Sequence, residues 1–253
     1  MSYFGHTLVW EKGRQLKSFD GNTYTYNANG IRTSKTVNGV KHEYTLNGTK
    51  ILKETWGENT LIPLYDNEDS VCGIIYNDYA YYFQKNLQGD VIAIVDKNAQ
   101  TVARYSYDAW GAVTSAVTYT ELTENVDIAS INPFRYRGYY YDEEIGMYYL
   151  QSRYYNACVG RFVNEDDSTM LLITDSVISS NIFSYCRNEV NNYKDDKGYW
   201  RIPTWLLSAT LDILFIALNA AMYAGYLSFS SRSIKKVQSQ SNYTAPSQNR
   251  RYD

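Results

Sequence analysis

The sequence predicts a mainly β protein built from antiparallel hairpins, and two observations carry this prediction. The first is tyrosine, which accounts for 27 of the 253 residues, against 8 Phe and 5 Trp. Tyr suits a half-buried strand, because its ring packs on the sheet while its hydroxyl reaches the wet edge. The second is a series of Asn-Gly pairs at 29–30, 38–39 and 47–48, spaced nine residues apart. Asn-Gly tolerates the positive φ angles of a tight hairpin turn, so this spacing predicts a β-meander.

The strand-and-turn pattern extends well beyond these pairs. Asp20-Gly21 is a further turn, and residues 81–83, 91–95 and 101–107 are strand-like segments separated by polar turns. The stretch 63–78 between them looks less regular. Because each hairpin exposes an apolar face and unpaired edges, we expect the hairpins to stack in a wound sheet.

Composition and residue inventory argue against several classes of function. The formal charge of -3 gives no basic field for binding nucleic acid. The cysteines Cys72, Cys158 and Cys186 are too widely spaced for a metal-binding pair or a disulfide framework. The histidines, His6 and His42, lie near the N-terminus, far from any nucleophile motif. With no glycine-rich phosphate loop either, we expect no metal, no cofactor and no nucleic-acid partner.

The densest motif spans residues 132–155, where two aromatic segments flank a turn at 143–146 and arginines are interleaved with tyrosines. An Arg over a Tyr face gains about 0.5–2 kcal/mol from cation–π attraction. An Arg- and Tyr-laced sheet therefore explains the motif. Shortly after it comes the sequence Gly-Arg-Phe-Val-Asn-Glu-Asp-Asp at 160–167.

Residues 132–167 resemble the repeat-associated core of the rearrangement-hotspot (RHS) family, and 81–113 are similar to the YD repeats that precede that core. The resemblance implies a bacterial β-shell, plugged by the core, that encloses a variable C-terminal toxin. It implies as partners the chain's own C-terminal segment or an encapsulated toxin, together with an immunity protein. It also implies a secreted or cell-surface location as part of a longer protein. Residues 1–16 are charged and contain no secretory signal.

The resemblance further implies aspartyl self-cleavage. Carried over to this sequence, the catalytic carboxyl groups are those of Asp166 and Asp195, and the cleaved bond is Tyr199–Trp200. Two neighbouring carboxyl groups suit this chemistry, because one stays protonated as an acid while the other activates water. The two aspartates are 29 residues apart, so the intervening segment must fold back.

The family's cleavage motif, Pro-x-x-x-x-Asp-Pro-x-Gly, falls on Val190, Asp195, Asp196 and Gly198. Both prolines are therefore replaced, one by Val190 and one by Asp196. Losing a proline removes a fixed φ angle and restores an N–H group where the cleavage loop is shaped. The alternative is that all the aspartates concerned are solvated turn residues without catalytic activity, namely Asp166, Asp167, Asp195 and Asp196.

An apolar tail follows the core. Residues 206–227 contain one charge, Asp212. As a helix they would be about 33 Å long, enough to cross a hydrocarbon core of about 30 Å. A buried charge at mid-bilayer costs about 2.5–3.5 kcal/mol. Three interpretations stay open: a membrane helix, a helix sequestered in the shell, or the beginning of a toxin region. Residues 230–253 are rich in Ser, Gln and Asn and are expected to be disordered.

The expected organisation has five parts: β-repeats at 1–114, a connector at 115–131, the core at 132–199, the apolar helix at 200–229 and the tail at 230–253. The expected function is a shell and plug fragment of an RHS polymorphic toxin or surface protein, at most autoproteolytic. One alternative is a surface-adhesion or carbohydrate-binding protein with exposed Tyr and Trp rows. The other is a truncated remnant without activity.

Overall fold

The computed structural model describes residues 2–123, 125–165, 183–190, 193–195 and 202–203. Strands dominate the described residues, which confirms the predicted mainly β fold. The first thirteen strands are β1 Ser2–Tyr3, β2 His6–Glu11, β3 Gln15–Phe19, β4 Asn22–Tyr26, β5 Arg32–Val37, β6 Val40–Asn47, β7 Lys50–Trp56, β8 Asn59–Tyr65, β9 Val71–Tyr76, β10 Tyr79–Lys85, β11 Val91–Val95, β12 Thr101–Tyr107 and β13 Val113–Thr118. The remaining elements are α1 Ile128–Ile131, β14 Tyr140–Asp142, β15 Met147–Tyr149, β16 Tyr154–Asn156, β17 Arg161–Phe162, β18 Tyr193–Lys194 and β19 Ile202–Pro203.

Strands β1 to β13 form one antiparallel sheet in which every strand pairs with its neighbours in the sequence. The predicted β-meander is therefore confirmed. The Asn38-Gly39 turn has φ angles of 49° and 81°, and the Asp20-Gly21 turn has 45° and 89°. These are the left-handed conformations that such hairpin turns require.

The stretch 63–78 was wrongly expected to be irregular, because it contains the last three residues of β8 and all of β9. Pro63 lies inside β8 and pairs with Ile74 of β9. On its other side β8 pairs with β7 only as far as Leu61. Pro63 therefore has one neighbouring strand, the edge-like position in which a proline is tolerated.

The expected connector also begins inside a strand, because residues 115–118 belong to β13. Val117 pairs with Arg104 and Val113 with Tyr107 of β12, and β-branched residues favour this extended pairing. The connector also contains the short helix α1, whose first turn is capped by the side chain of Asp127.

Strands β14 to β17 form a second, four-stranded sheet, and the turn between β14 and β15 spans 143–146 as predicted. This core packs against both ends of the long sheet. Leu8 and Tyr24 from the first strands share an apolar cluster with Met147 and Tyr154. A separate cluster joins strands β6 to β12 to Phe134 and the residues around it. The long sheet thus curls around the core.

Within the described ranges, no helix has both the length and the apolar character needed to cross a bilayer. The expected apolar helix at 206–227 and the expected disorder at 230–253 lie outside those ranges.

Candidate cleavage site and its surroundings

A buried group of charges joins the long sheet to the core. Both terminal nitrogens of Arg32 donate hydrogen bonds to the carboxylate of Asp142, at 2.6 and 2.9 Å. The Nζ of Lys35 donates to Asp142 at 3.0 Å and to Glu144 at 2.9 Å. The side chains of Arg32 and Asp142 are 1% and 0% exposed. Strand β5 is thereby fixed to the turn that follows β14.

The charges in this group compensate one another. Burial alone would raise the pKa of Asp142, but the positive charges of Arg32 and Lys35 outweigh it and hold the pKa below its ordinary value. Burial likewise works against the charged form of Lys35, yet its carboxylate neighbours raise its pKa. The guanidinium of Arg32 also lies 4.3 Å from the ring centre of Tyr149 and 5.1 Å from that of Tyr140. The group is a rigid structural link.

The segment 183–190 packs onto the core. Tyr185 is fully buried, and its ring centre lies 4.1 Å from that of Tyr155. Residues 186–188 form one turn of 3₁₀ helix. Val190 is buried in the same apolar cluster. The chain that leads to Asp195 is therefore docked against the core.

Asp195 is buried, with 3% of its surface exposed. Its Oδ2 accepts a hydrogen bond from Nη2 of Arg153 at 3.0 Å, and its backbone N–H donates to the hydroxyl of Tyr139 at 3.2 Å. That hydroxyl also contacts the hydroxyl of Tyr185 at 3.0 Å. Arg153 is itself fixed, with its guanidinium 3.6 Å from the ring centre of Phe162. A paired, buried carboxylate of this kind is not a solvated turn residue.

Arg137 holds the same segment further upstream. Its Nη1 donates to the backbone carbonyl of Tyr193 and its Nη2 to that of Val190. Arg137 has a left-handed φ of 54°. Its backbone N–H donates to Oδ1 of Asp90 at 3.0 Å.

The predicted scissile bond lies between two paired strands in the sequence. In β18, Tyr193 pairs with Pro203 and Lys194 with Ile202 of β19. Tyr199–Trp200 falls inside the connection from β18 to β19. Tyr199, Trp200 and the predicted partner Asp166 lie outside the described residues, as do Asp196 and Gly198.

Cys186 lies in the segment 183–190, and its thiol is buried. Burial raises the pKa of Cys186 to about 12, so its thiol stays protonated at neutral pH. His6 and His42 bond to Asp20 and Glu54, at 2.6 and 2.8 Å. Among the described residues, no group of His, Cys, Asp and Glu is arranged to hold a metal ion.

Sequence reasoning identified Asp195 but missed Arg153. A usable signal was present, because an arginine within the aromatic run 147–155 must find a partner if it is buried. The sequence motif does not identify the acidic residue that pairs with Arg153.

A cavity of about 410 Å³ lies between the long sheet and the core. Tyr44 and Tyr65 line it from the sheet, and Tyr139 and Leu150 line it from the core. Lys194, the residue before Asp195, also lines it. Its volume is that of a small-ligand pocket.

Comparison with known proteins identifies the architecture. The family model for the teneurin YD-shell matches residues 46–193. The chain is 35% identical over 224 residues to the tRNA3(Ser)-specific nuclease WapA of Bacillus spizizenii, covering 87% of this chain and 9% of that protein. It is also 35% identical over 224 residues to the tRNA nuclease WapA of Bacillus subtilis strain 168, with the same coverage. The chain thus spans about a tenth of the length of these relatives.

Solved structures support the same fold. The crystal structure of TcdB2-TccC3-Cdc42 superposes with a TM-score of 0.58 at 19% identity, covering 77% of this chain and 10% of that one. The Tc holotoxin pore of Photorhabdus luminescens superposes with a TM-score of 0.53 at 17% identity, covering 78% of this chain and 9% of that one. The predicted family is confirmed: the chain belongs to the teneurin YD-shell family, the family of the RHS and YD repeats.

Proposed function

We propose that this chain is the wall and C-terminal plug of an RHS-type toxin shell, and that it cuts its own backbone between Tyr199 and Trp200. The observation that carries the proposal is the position of Asp195, buried in the core and fixed by Arg153 and Tyr139. A buried carboxylate is costly unless it is paired, and such carboxylates cluster at functional sites.

In the proposed reaction Asp195 acts as the base, because the guanidinium of Arg153 compensates its negative charge. It takes a proton from a water molecule whose oxygen attacks the carbonyl carbon of Tyr199. Asp166, as the protonated partner, donates its proton to the nitrogen of Trp200. The C–N bond breaks, leaving a carboxyl group on Tyr199 and an amine on Trp200.

The pairing of β18 with β19 favours retention of the product. A cut at Tyr199–Trp200 leaves β18 on the shell fragment and β19 on the tail fragment, so the backbone hydrogen bonds between them can persist. The proposed partner is thus the chain's own C-terminal segment. The cavity of about 410 Å³ is far too small for a folded toxin domain. Enclosing one would require further repeats, as in a protein of the length of the Bacillus relatives.

In that longer context we propose a secreted or cell-surface location, with an immunity protein as the partner that neutralises the released toxin. Membrane insertion of 206–227 stays a prediction, and so do the domain limits set out from the sequence.

The test is the intact mass of the purified full chain after denaturation. We expect two species, 1–199 and 200–253, that elute together in native size exclusion. Asp195→Asn should give one full-length species, because an amide cannot act as the base. Asp69→Asn, at an exposed aspartate on a turn of the long sheet, is the matched control and should cleave normally. A wild-type chain that stays whole would refute the self-cleavage.

The carbohydrate-binding alternative depends on exposed aromatic rows. Tyr79 and Tyr82 of β10 are exposed, but most tyrosines of the core are buried. Binding on a glycan array that is lost when these two tyrosines are replaced would favour that alternative.

A further inference from the structure

Arg137 is a buried arginine whose two terminal guanidinium nitrogens both donate hydrogen bonds to backbone carbonyls. Its residue is 3% exposed, and its guanidinium donates to the carbonyl oxygens of Val190 and Tyr193. Burying an arginine is unfavourable unless its donors are used. Here the two terminal nitrogens donate to the stretch of chain that leads to Asp195, while Nε has no hydrogen-bond partner among the described residues.

The backbone of Arg137 is held as firmly as its side chain. A left-handed φ of 54° is uncommon for a residue with a long side chain. The conformation is stabilised by the bond from its N–H to Asp90, which also accepts from the side-chain amide of Asn86 at 2.6 Å. The guanidinium lies 5.1 Å from the ring centre of Tyr136. Strained backbone held in this way is concentrated at functional sites.

One of the two carbonyls belongs to Val190, one of the two positions where this chain departs from the family's cleavage motif. Val190 stands where that motif has proline. A proline fixes φ near -65°, whereas valine leaves the backbone free to rotate. The side chain of Arg137 holds the carbonyl of Val190 through a hydrogen bond from Nη2. An anchor of this kind restricts the backbone at residue 190 through the peptide plane that follows it, whereas a proline would restrict the same residue through φ.

We propose that Arg137 is a positioning residue for self-cleavage, which holds the backbone carbonyls of Val190 and Tyr193 in place of the missing proline and so directs Asp195. The inference rests on the proposed self-cleavage. The described hydrogen bonds of the Arg137 guanidinium go to the carbonyls of Val190 and Tyr193, so Arg137 acts through the backbone. Arg153 and Tyr139 hold Asp195 itself, and Arg137 fixes the path of the chain that approaches it.

The test compares Arg137→Met, which keeps the length and apolar stem, with Arg137→Lys and with the double variant Arg137→Met/Val190→Pro. No described residue accepts a hydrogen bond from the Val190 N–H, so a proline removes none of the described contacts. Arg104→Met, at an exposed arginine on β12, is the matched control. Cleavage is followed as the fraction of the 1–199 species over time. Backbone mobility is followed by hydrogen–deuterium exchange of the peptide covering 185–195.

We expect Arg137→Met to cleave about tenfold to a hundredfold more slowly, because a shift of about 1 Å at a catalytic group has effects of this size. Exchange in 190–195 should rise. Arg137→Lys should recover part of the rate, since an ammonium can bond at least one carbonyl. Val190→Pro should restore the rate of Arg137→Met to within about threefold of wild type.

Arg137→Met with wild-type cleavage and exchange would overturn the proposal. A double variant as slow as Arg137→Met alone would also overturn it, since Arg137 would then serve only general folding. If Arg137→Met does not fold, as shown by a lost near-ultraviolet circular dichroism spectrum, the Lys variant alone and with Val190→Pro replaces it. A wild-type chain that stays uncut would refute self-cleavage and with it the role of Arg137 in cleavage. Hydrogen–deuterium exchange would still show whether Arg137 holds the backbone at Val190 and Tyr193.

Discussion

Replacing Asp142 by Asn should be among the most destabilising single substitutions in the chain. The change keeps the shape of the side chain but leaves the guanidinium of Arg32, 1% exposed, without its carboxylate. Two opposite charges about 4 Å apart attract by about 4 kcal/mol at an effective dielectric constant of about 20. Breaking a buried pair by removing one partner typically costs about 3–5 kcal/mol. We expect a loss of that size, against a total of about 5–15 kcal/mol for a domain.

The assay is urea unfolding followed by tyrosine and tryptophan fluorescence. Glu43→Gln is the control, because the Lys41–Glu43 pair has a similar distance of 2.6 Å but side chains that are 59% and 61% exposed. Such surface pairs contribute about 0–1 kcal/mol. An Asp142→Asn variant no less stable than Glu43→Gln would refute the reasoning. The apolar double variant Arg32→Met/Asp142→Leu should recover most of the loss, because it leaves no buried charge unpaired.

The pH dependence follows from the same group. The pKa of Asp142 is lowered in the folded protein, so its stabilisation is complete above the ordinary aspartate pKa of about 3.9. That stabilisation is lost as the pH falls through the lowered folded value. Between pH 5 and pH 2, wild type should lose more stability than Asp142→Asn. Equal acid sensitivity of the two would contradict the assignment.

Two further predictions concern packing and thiol reactivity. Gly111→Ala places a methyl group about 2.4 Å from the ring of Tyr136. In urea unfolding it should lose about 1–3 kcal/mol more stability than Gly39→Ala, whose position has the same kind of backbone but open space around it. Equal losses of stability would contradict the close packing. Burial raises the pKa of Cys186 to about 12, so its thiol should resist iodoacetamide at pH 8 in the folded protein. The exposed Cys158 should be alkylated under the same conditions. Equal modification of the two cysteines, followed by mass spectrometry, would show that Cys186 is accessible.

The local features of the fold could be predicted from the sequence because they have local causes. Asn38-Gly39 forms a tight turn since these residues tolerate positive φ angles, and this is independent of the rest of the chain. The strand position of Pro63 could not be predicted, because whether a strand tolerates proline depends on how far the neighbouring strand extends. That depends on β7 and cannot be read from β8 alone.

In the candidate site, too, some features have local causes that can be predicted and others depend on distant parts of the chain. Asp195 was found through its motif. Its partner Arg153 and the clamp from Arg137 arise from contacts 42 and 53–56 residues apart in the sequence. The pair of Arg32 and Asp142 spans 110 residues. Periodicity and turn chemistry carry no information about contacts of this range, which are set by how the long sheet curls around the core.

The central claim, a shell that cuts itself between Tyr199 and Trp200, is tested most directly by N-terminal sequencing of the small fragment from the purified chain. The account predicts a fragment that begins Trp200-Arg201-Ile202 and is absent from Asp195→Asn. A chain that remains whole, or a fragment that begins elsewhere and persists in Asp195→Asn, would contradict it.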